Sequence, residues 1–307
     1  MVTMIVHSIF RRTNKIRESV GDQIFLIAIY IFLTVVLVLV LYPLVYVVSA
    51  SFSSPSAVSS GLVWLYPVDI TLRGYEVTLQ NPQIITGYYN SIYYTFFGTL
   101  ISVILTVLCA YPLSRRKLFG RNAIMFMITF TMVFSGGLIP SYLVVKELGM
   151  INTRWALLIP SAISAWQVII ATTFFQITIP EELAEAAEID GCSDLRFLWA
   201  IVIPLSTPII AVLALMYAVG QWNSYFDALI YLKSVALHPL QLVLRGILIL
   251  NTQSSGTMDA TAMIERRQMA DLLKYTLIVI GSLPVLVIYP FVQRYFVRGM
   301  LIGSIKG

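Results

Sequence analysis

Long apolar runs separated by short polar punctuation dominate the chain, with a residual spacing too sparse in polar positions to make ordinary amphipathic helices. Six runs, at 24–50, 90–113, 122–145, 155–177, 197–222 and 275–292, approach or exceed the roughly 20 apolar residues that carry a helix across the hydrocarbon core of a bilayer. Most contain breakers: Pro43, Pro112, Gly136 with Gly137 and Pro140, Pro160, Pro204 with Pro208, and Pro284 with Pro290. Spanning helices tolerate these where neighbouring helices satisfy the freed backbone groups, so the pattern predicts a packed, kinked bundle. The expected fold is an all-α membrane protein with six transmembrane helices in a single domain over 1–307.

Composition supports that class. Hydrophobic residues make up 58% and charged residues 11%, against about 25% charged in soluble domains. The net charge of +5 is informative through its placement. With the N-terminus inside, Arg11, Arg12, Lys15, Arg17, Arg115, Arg116, Lys117, Arg121, Arg196, Arg294, Arg298 and Lys306 fall on the cytoplasmic side. The other cations, Arg73, Lys146, Arg154, Lys233, Arg245, Arg266, Arg267 and Lys274, spread over longer external segments. This bias predicts a multi-pass membrane protein with both termini cytoplasmic. Its pieces are a cytoplasmic N-terminus at 1–23, external loops at 51–89 and 223–274, a cytoplasmic element at 181–194 and a cytoplasmic tail at 293–307. The first run is too long for a cleaved signal and is read as an anchor. No basic and aromatic interleaving points to nucleic acid; the surroundings are membrane lipids.

One segment breaks the cation rule. Residues 181–194 carry six carboxylates and no cation, although they face the cytoplasm in this topology. Pro180 suits the first helical position, and Glu181 and Glu182 favour a helix N-terminus. Glu181, Glu185 and Glu188 recur on one face, with Ala184, Ala187 and Gly191 as a small-residue stripe beside it. Gly191 is expected to end the helix and Ser193 to cap the next, which runs through Phe197 and Trp199 into the fifth span. A helix so short needs packing to persist, which favours a docking element over a merely solvated loop.

The chemistry absent from the pattern narrows the function. The six cores contain no Asp, Glu, Lys, Arg or His, which disfavours an ion-coupled carrier, since such carriers keep an ionisable group in the membrane. No G-x-x-x-x-G-K-[ST] stretch is present to cradle ATP, and no catalytic or metal-ligating constellation stands out. Cys109 and Cys192 read as neither a disulfide nor a metal site. The chain is therefore expected to be no enzyme and to hold no cofactor of its own.

Glu185-Ala186-Ala187, Gly191 and, nine residues later, Ile201-Val202-Ile203-Pro204 resemble the E-A-A-x(3)-G-x(9)-I-x-L-P signature of ABC-importer permeases, with Ile203 in place of the usual Leu. Residues 136–142 (GGLIPSY), 221–226 (QWNSYF) and the ending 298–307 (RGMLIGSIKG) extend the resemblance to the second permease subunit of carbohydrate importers, similar to the maltose type and closest to its oligosaccharide branch. That resemblance implies a type I importer permease architecture with a cytoplasmic coupling helix between spans four and five. It also implies an assembly with a second permease subunit, two ATPase subunits that bind ATP and Mg, and an extracytoplasmic sugar-binding protein. On the same basis, Glu185, Ala186, Ala187, Asp190 and Gly191 form the ATPase contact, the tail at Lys306 and Gly307 reaches the same interface, and the polar segment 251–268 approaches the binding protein.

Sugars are held by aromatic faces and by hydrogen bonds to hydroxyls. Trp222, Asn223, Tyr225 and Phe226 suit that chemistry, and Asn90, Tyr93, Trp166 and Gln167 are further candidates for the substrate pathway. An interfacial aromatic belt or helix packing explains the same residues. From the residues alone, a stand-alone carrier or channel and a membrane scaffold or sensor stay open beside the importer.

Overall fold

The computed structural model describes residues 19–253 and 260–304, with side chains described over 19–249 and 263–290. Lys306, Gly307 and the basic N-terminal residues at 1–18 lie outside the described residues, as do 254–259 of the external segment. Every regular element described is helical.

The chain begins with α1 (Val20–Ser51), fixed at its start by a capping box in which Ser19 and Asp22 exchange hydrogen bonds. Short helices α2 (Pro55–Ser59) and α3 (Arg73–Leu79) then lead into α4 (Pro82–Ser114). Pro82 occupies the first turn of α4, where its missing N–H costs nothing, and the Asn81 side chain accepts a hydrogen bond from the Gln83 N–H. After α4 come α5 (Arg121–Val133), α6 (Leu138–Glu147), α7 (Trp155–Leu158) and α8 (Ala165–Thr178). The acidic α9 (Glu181–Ile189) follows, then α10 (Asp194–Phe197), a π-turn at Leu198–Val202, α11 (Ile203–Leu205) and α12 (Thr207–Trp222). The chain closes with α13 (Phe226–Tyr231), a 3₁₀ turn at Val235–Leu237, α14 (Leu240–Gln253) and α15 (Ala260–Ser304).

The kinks expected at the breakers divide several of the six apolar runs. Among the described residues three helices are continuous and apolar enough to cross a membrane: α1, α4 and the Met263–Pro290 stretch of α15. Two further expected spans are bent pairs. The run at 122–145 folds as α5 and α6, turned by 115° at a four-residue break that holds Gly136 and Gly137. The run at 197–222 bends by 82° at Ser206, between Pro204 and Pro208. The surface helix therefore reaches its span through a sharp corner, and the expectation of a straight run from Phe197 onward is corrected. The run at 155–177 is split at 159–164, a break that contains Pro160, leaving α8 with 14 residues, about 21 Å of helix. Prolines remove backbone donors and clash with the preceding turn, which explains why these runs break where they do. The segments expected as loops at 51–89 and 223–274 also contain helices, α2 and α3 in the first and α13, α14 and the start of α15 in the second.

The middle of the fold is α4, packed against α8, α12 and α14, with α15 closing over α1, α12 and α14. One core cluster sits at the C-terminal end of α4, where Val107, Ala110 and Tyr111 meet Phe175, Phe197, Leu198, Val202 and Leu213. Another sits at its N-terminal end, where Ile84 meets Trp222, Leu240, Val243, Leu273 and Leu277. From Gly87 to Tyr111 the α4 axis runs about 36 Å, so each end carries its own site.

Candidate functional site

At the C-terminal end of α4 a cavity of about 450 Å³ is enclosed between Leu108, Tyr111 and Arg115 on one side and Ala184, Ala187, Cys192 and Phe197 on the other. Helix α9 forms its outer wall. Pro180 precedes the helix in an extended conformation, one position earlier than expected. The helix ends in a Schellman motif, with the Gly191 N–H donating to the Glu188 carbonyl at 3.0 Å and the Cys192 N–H to the Ala187 carbonyl at 2.9 Å. Gly191 holds a φ of +72°, which any residue with a Cβ adopts at a cost of about 1–2 kcal/mol. Ser193 then caps α10 by accepting from the Arg196 N–H.

The face of α9 that carries Ala184 and Ala187 packs on the protein's own core. Its acidic neighbours also find counter-ions within the chain. Arg116 Nε lies 3.8 Å from Glu181 Oε2, and Lys117 Nζ lies 3.8 Å from Glu185 Oε1 and 3.3 Å from Glu188 Oε2. Arg115 stacks 5.0 Å from the ring centres of both Tyr111 and Phe197. The basic triplet after α4, which reads in sequence only as a topology signal, thus pins the acidic helix. What remains free is an outward face of Glu182, Ala186, Ile189 and Asp190, all exposed, with Ile189 at 86%. Two apolar residues, Ile189 and the less exposed Leu183, on an otherwise acidic and small surface, mounted on a helix braced on its other side, are suited to fill a pocket on a partner.

Residues 84–302 match the family described as the binding-protein-dependent transport system inner membrane component. The chain belongs to that family. It is 40% identical over 296 residues to Protein LplC of Bacillus subtilis (strain 168), covering 96% of this chain and 99% of that protein. It is 41% identical over 286 residues to the polygalacturonan/rhamnogalacturonan transport system permease protein YtcP of the same organism, covering 93% and 99%. Among solved structures, a chain of a bacterial ABC transporter involved in the import of the acidic polysaccharide alginate superimposes with a TM-score of 0.82 at 36% identity, covering 91% of this chain and 99% of that one. The protein is a membrane-integral transport permease.

The permease brings only some of the expected substrate residues together. Trp222 is buried at the far end of α4, where its Nε1–H donates to the Gly281 carbonyl at 3.0 Å and its ring lies against Tyr88. Asn90 is buried too, and its Nδ2 donates to the carbonyls of Ala236 and His238 at 2.8 and 3.1 Å. Gln167 is buried in α8, whereas Trp166 beside it is exposed. Tyr93 is half-buried beneath Arg154, whose guanidinium carbon sits 4.2 Å from its ring centre. Asn223 and Tyr225 line a second cavity, of about 620 Å³, between α14 and α15. Phe226 is half exposed beside Tyr225, with ring centres 6.4 Å apart.

Sequence reasoning passed over Arg245 and Gln241, which line the same cavity. It counted Arg245 as a cation in an external loop. In the fold it stands on α14 beside Leu277, Ile278, Val285 and Leu286 of the apolar part of α15.

Proposed function

We propose that this permease is one half of the membrane pathway of an ATP-driven importer that carries an oligosaccharide across the cytoplasmic membrane, with both termini in the cytoplasm. The single observation that carries the reading is α9: an acidic helix clamped to its own chain through Arg116 and Lys117, leaving Ala186, Ile189, Asp190 and Gly191 outward. A partner ATPase that binds ATP and Mg grips this face, and its closure pushes on α9. The push passes through the cavity wall to α4 and through the bend at Ser206 to α12. Glu185 and Ala187 act by holding the helix in place, and the others by touching the partner. A second permease subunit completes the pathway, two ATPase subunits drive it, and an extracytoplasmic binding protein delivers the sugar. The carbohydrate class follows from relatives named for polygalacturonan/rhamnogalacturonan and for melibiose, raffinose and stachyose.

The test is co-purification of the tagged permease from its native membrane in mild detergent, with bound proteins identified by mass spectrometry. The unaltered chain is expected to bring down a second permease and an ATPase. Nothing in this chain lies within 4 Å of a Cβ built at Gly191, and its φ of +72° strains any side chain there by about 1–2 kcal/mol, so Gly191→Trp is expected to lose the ATPase while thermal unfolding of the permease shows no more than that strain. Recovery of the chain alone, under conditions that keep other membrane complexes together, would sink the proposal in favour of a stand-alone carrier.

A further inference from the structure

We infer that the cavity between α14 and α15 is a subsite for the carboxylate of an acidic sugar, with Arg245 as the group that binds it; this rests on the sugar-import reading above. Arg245 is exposed on α14, at the rim of a cavity whose other wall is the apolar stretch Leu277, Ile278, Val285 and Leu286 of α15. Among the described residues no Asp or Glu lines the cavity, and Arg245 makes no ion pair. Its one strong neighbour is the Tyr225 ring, 5.3 Å from the guanidinium carbon. Stacking on an aromatic face fixes the plane of the guanidinium and leaves its hydrogen-bonding edge available for a planar, two-oxygen anion.

The rest of the wall suits a sugar. Asn223, Gln241 and Ser282 supply amides and a hydroxyl, and Tyr225, 41% exposed, supplies a ring. The floor exists because Gly281 has no side chain: a Cβ there would come within 3.0 Å of Leu244 and 3.8 Å of the Gln241 amide nitrogen. The Gly281 carbonyl is held from beneath by Trp222, which ties the cavity to α12. A volume of about 620 Å³ falls within the usual range of small-molecule sites and has room for a short oligosaccharide segment.

The experiment measures uptake by the complete importer in its native membrane, using radiolabelled trigalacturonate and its fully methyl-esterified, neutral counterpart. The native complex is expected to take up the acid in preference to the ester. Arg245→Gln is expected to lower the acid-to-ester uptake ratio at least tenfold, the scale of a lost charge-assisted hydrogen bond. Where that variant fails to assemble, Arg245→Lys, which keeps the charge and loses the planar fork, must still lower the ratio. An unchanged ratio in both variants overturns the assignment. So does a parallel loss of acid and ester uptake with the complex intact, which would make Arg245 an anchor for a lipid phosphate. Uptake of neither sugar by the native complex overturns this subsite, while the oligosaccharide-importer reading stands or falls separately on the co-purification.

Discussion

The two ends of α4 treat positive charge in opposite ways. At the α9 end, Arg116 and Lys117 meet three carboxylates of the same chain, and Arg115 is stacked between two rings. At the other end, Arg245 has an aromatic neighbour and no acidic partner among the described residues. A cation with its own counter-ion braces structure, and one without is positioned for an anion from outside. The contrast also extends to burial: the ion pairs under α9 are largely exposed, whereas the cavity between α14 and α15 is anchored by buried groups such as Trp222 and Leu240.

That contrast predicts a ranking of stability effects. Trp222→Ala should be the most damaging, costing about 3–5 kcal/mol through lost packing and an orphaned Gly281 carbonyl. Thermal unfolding of the purified complex measures it, and a loss under about 1 kcal/mol would show that the cavity between α14 and α15 is not anchored as described. Gly281→Ala comes next, at about 1–3 kcal/mol, because its methyl group must displace Leu244. The same variant narrows the cavity floor, so oligosaccharide uptake should fall with it. The α9 clamp should matter less. In a double-mutant cycle of Lys117→Ala and Glu188→Gln, coupling should lie between about 0 and 1 kcal/mol and shrink in high salt, since both side chains are more than half exposed.

The smallest effect is a pH dependence at the end of α4 away from α9. Burial pushes the His238 imidazole below its ordinary value, opposed by a hydrogen bond with the Leu232 backbone. The unfolded chain therefore takes up the proton first as pH falls below about 6.5, so this contribution is full above that value and is lost as pH drops toward the folded-state value. Between about pH 7.5 and pH 5.5, the melting temperature of His238→Gln should fall less than that of the unaltered protein. Equal falls would show that His238 is not the group responsible.

How much was legible beforehand differs between these ends. The acidic helix was readable in its start, its stop and its caps because those are local: Glu181 and Glu182 at the N-terminus, Gly191 in a left-handed turn and Ser193 capping α10 each depend on a few adjacent residues. Its counter-ions were not readable, since Lys117 and Glu188 lie 71 positions apart and only folding brings them together. Asn90, Gln167 and Trp222 looked like substrate residues because polar and aromatic groups in a span signal either a pathway or packing. The backbone carbonyls that Asn90 and Trp222 satisfy lie far away in the chain.

By itself the sequence determined the class and the parts: an all-helical membrane protein, its apolar runs, its breakers at Pro160, Pro204 and Pro208, and the Glu185-Ala186-Ala187 to Gly191 signature. These follow from transfer of side chains into hydrocarbon and from local backbone chemistry, both of which act over a few residues. Tertiary structure alone decided which runs bend into pairs, which carboxylates of α9 face inward, and that Arg245 leaves its supposed loop to stand beside Tyr225 and Gly281. Such choices depend on how closely two helices approach and which charges that approach brings together, and neither is encoded in any one stretch of the chain.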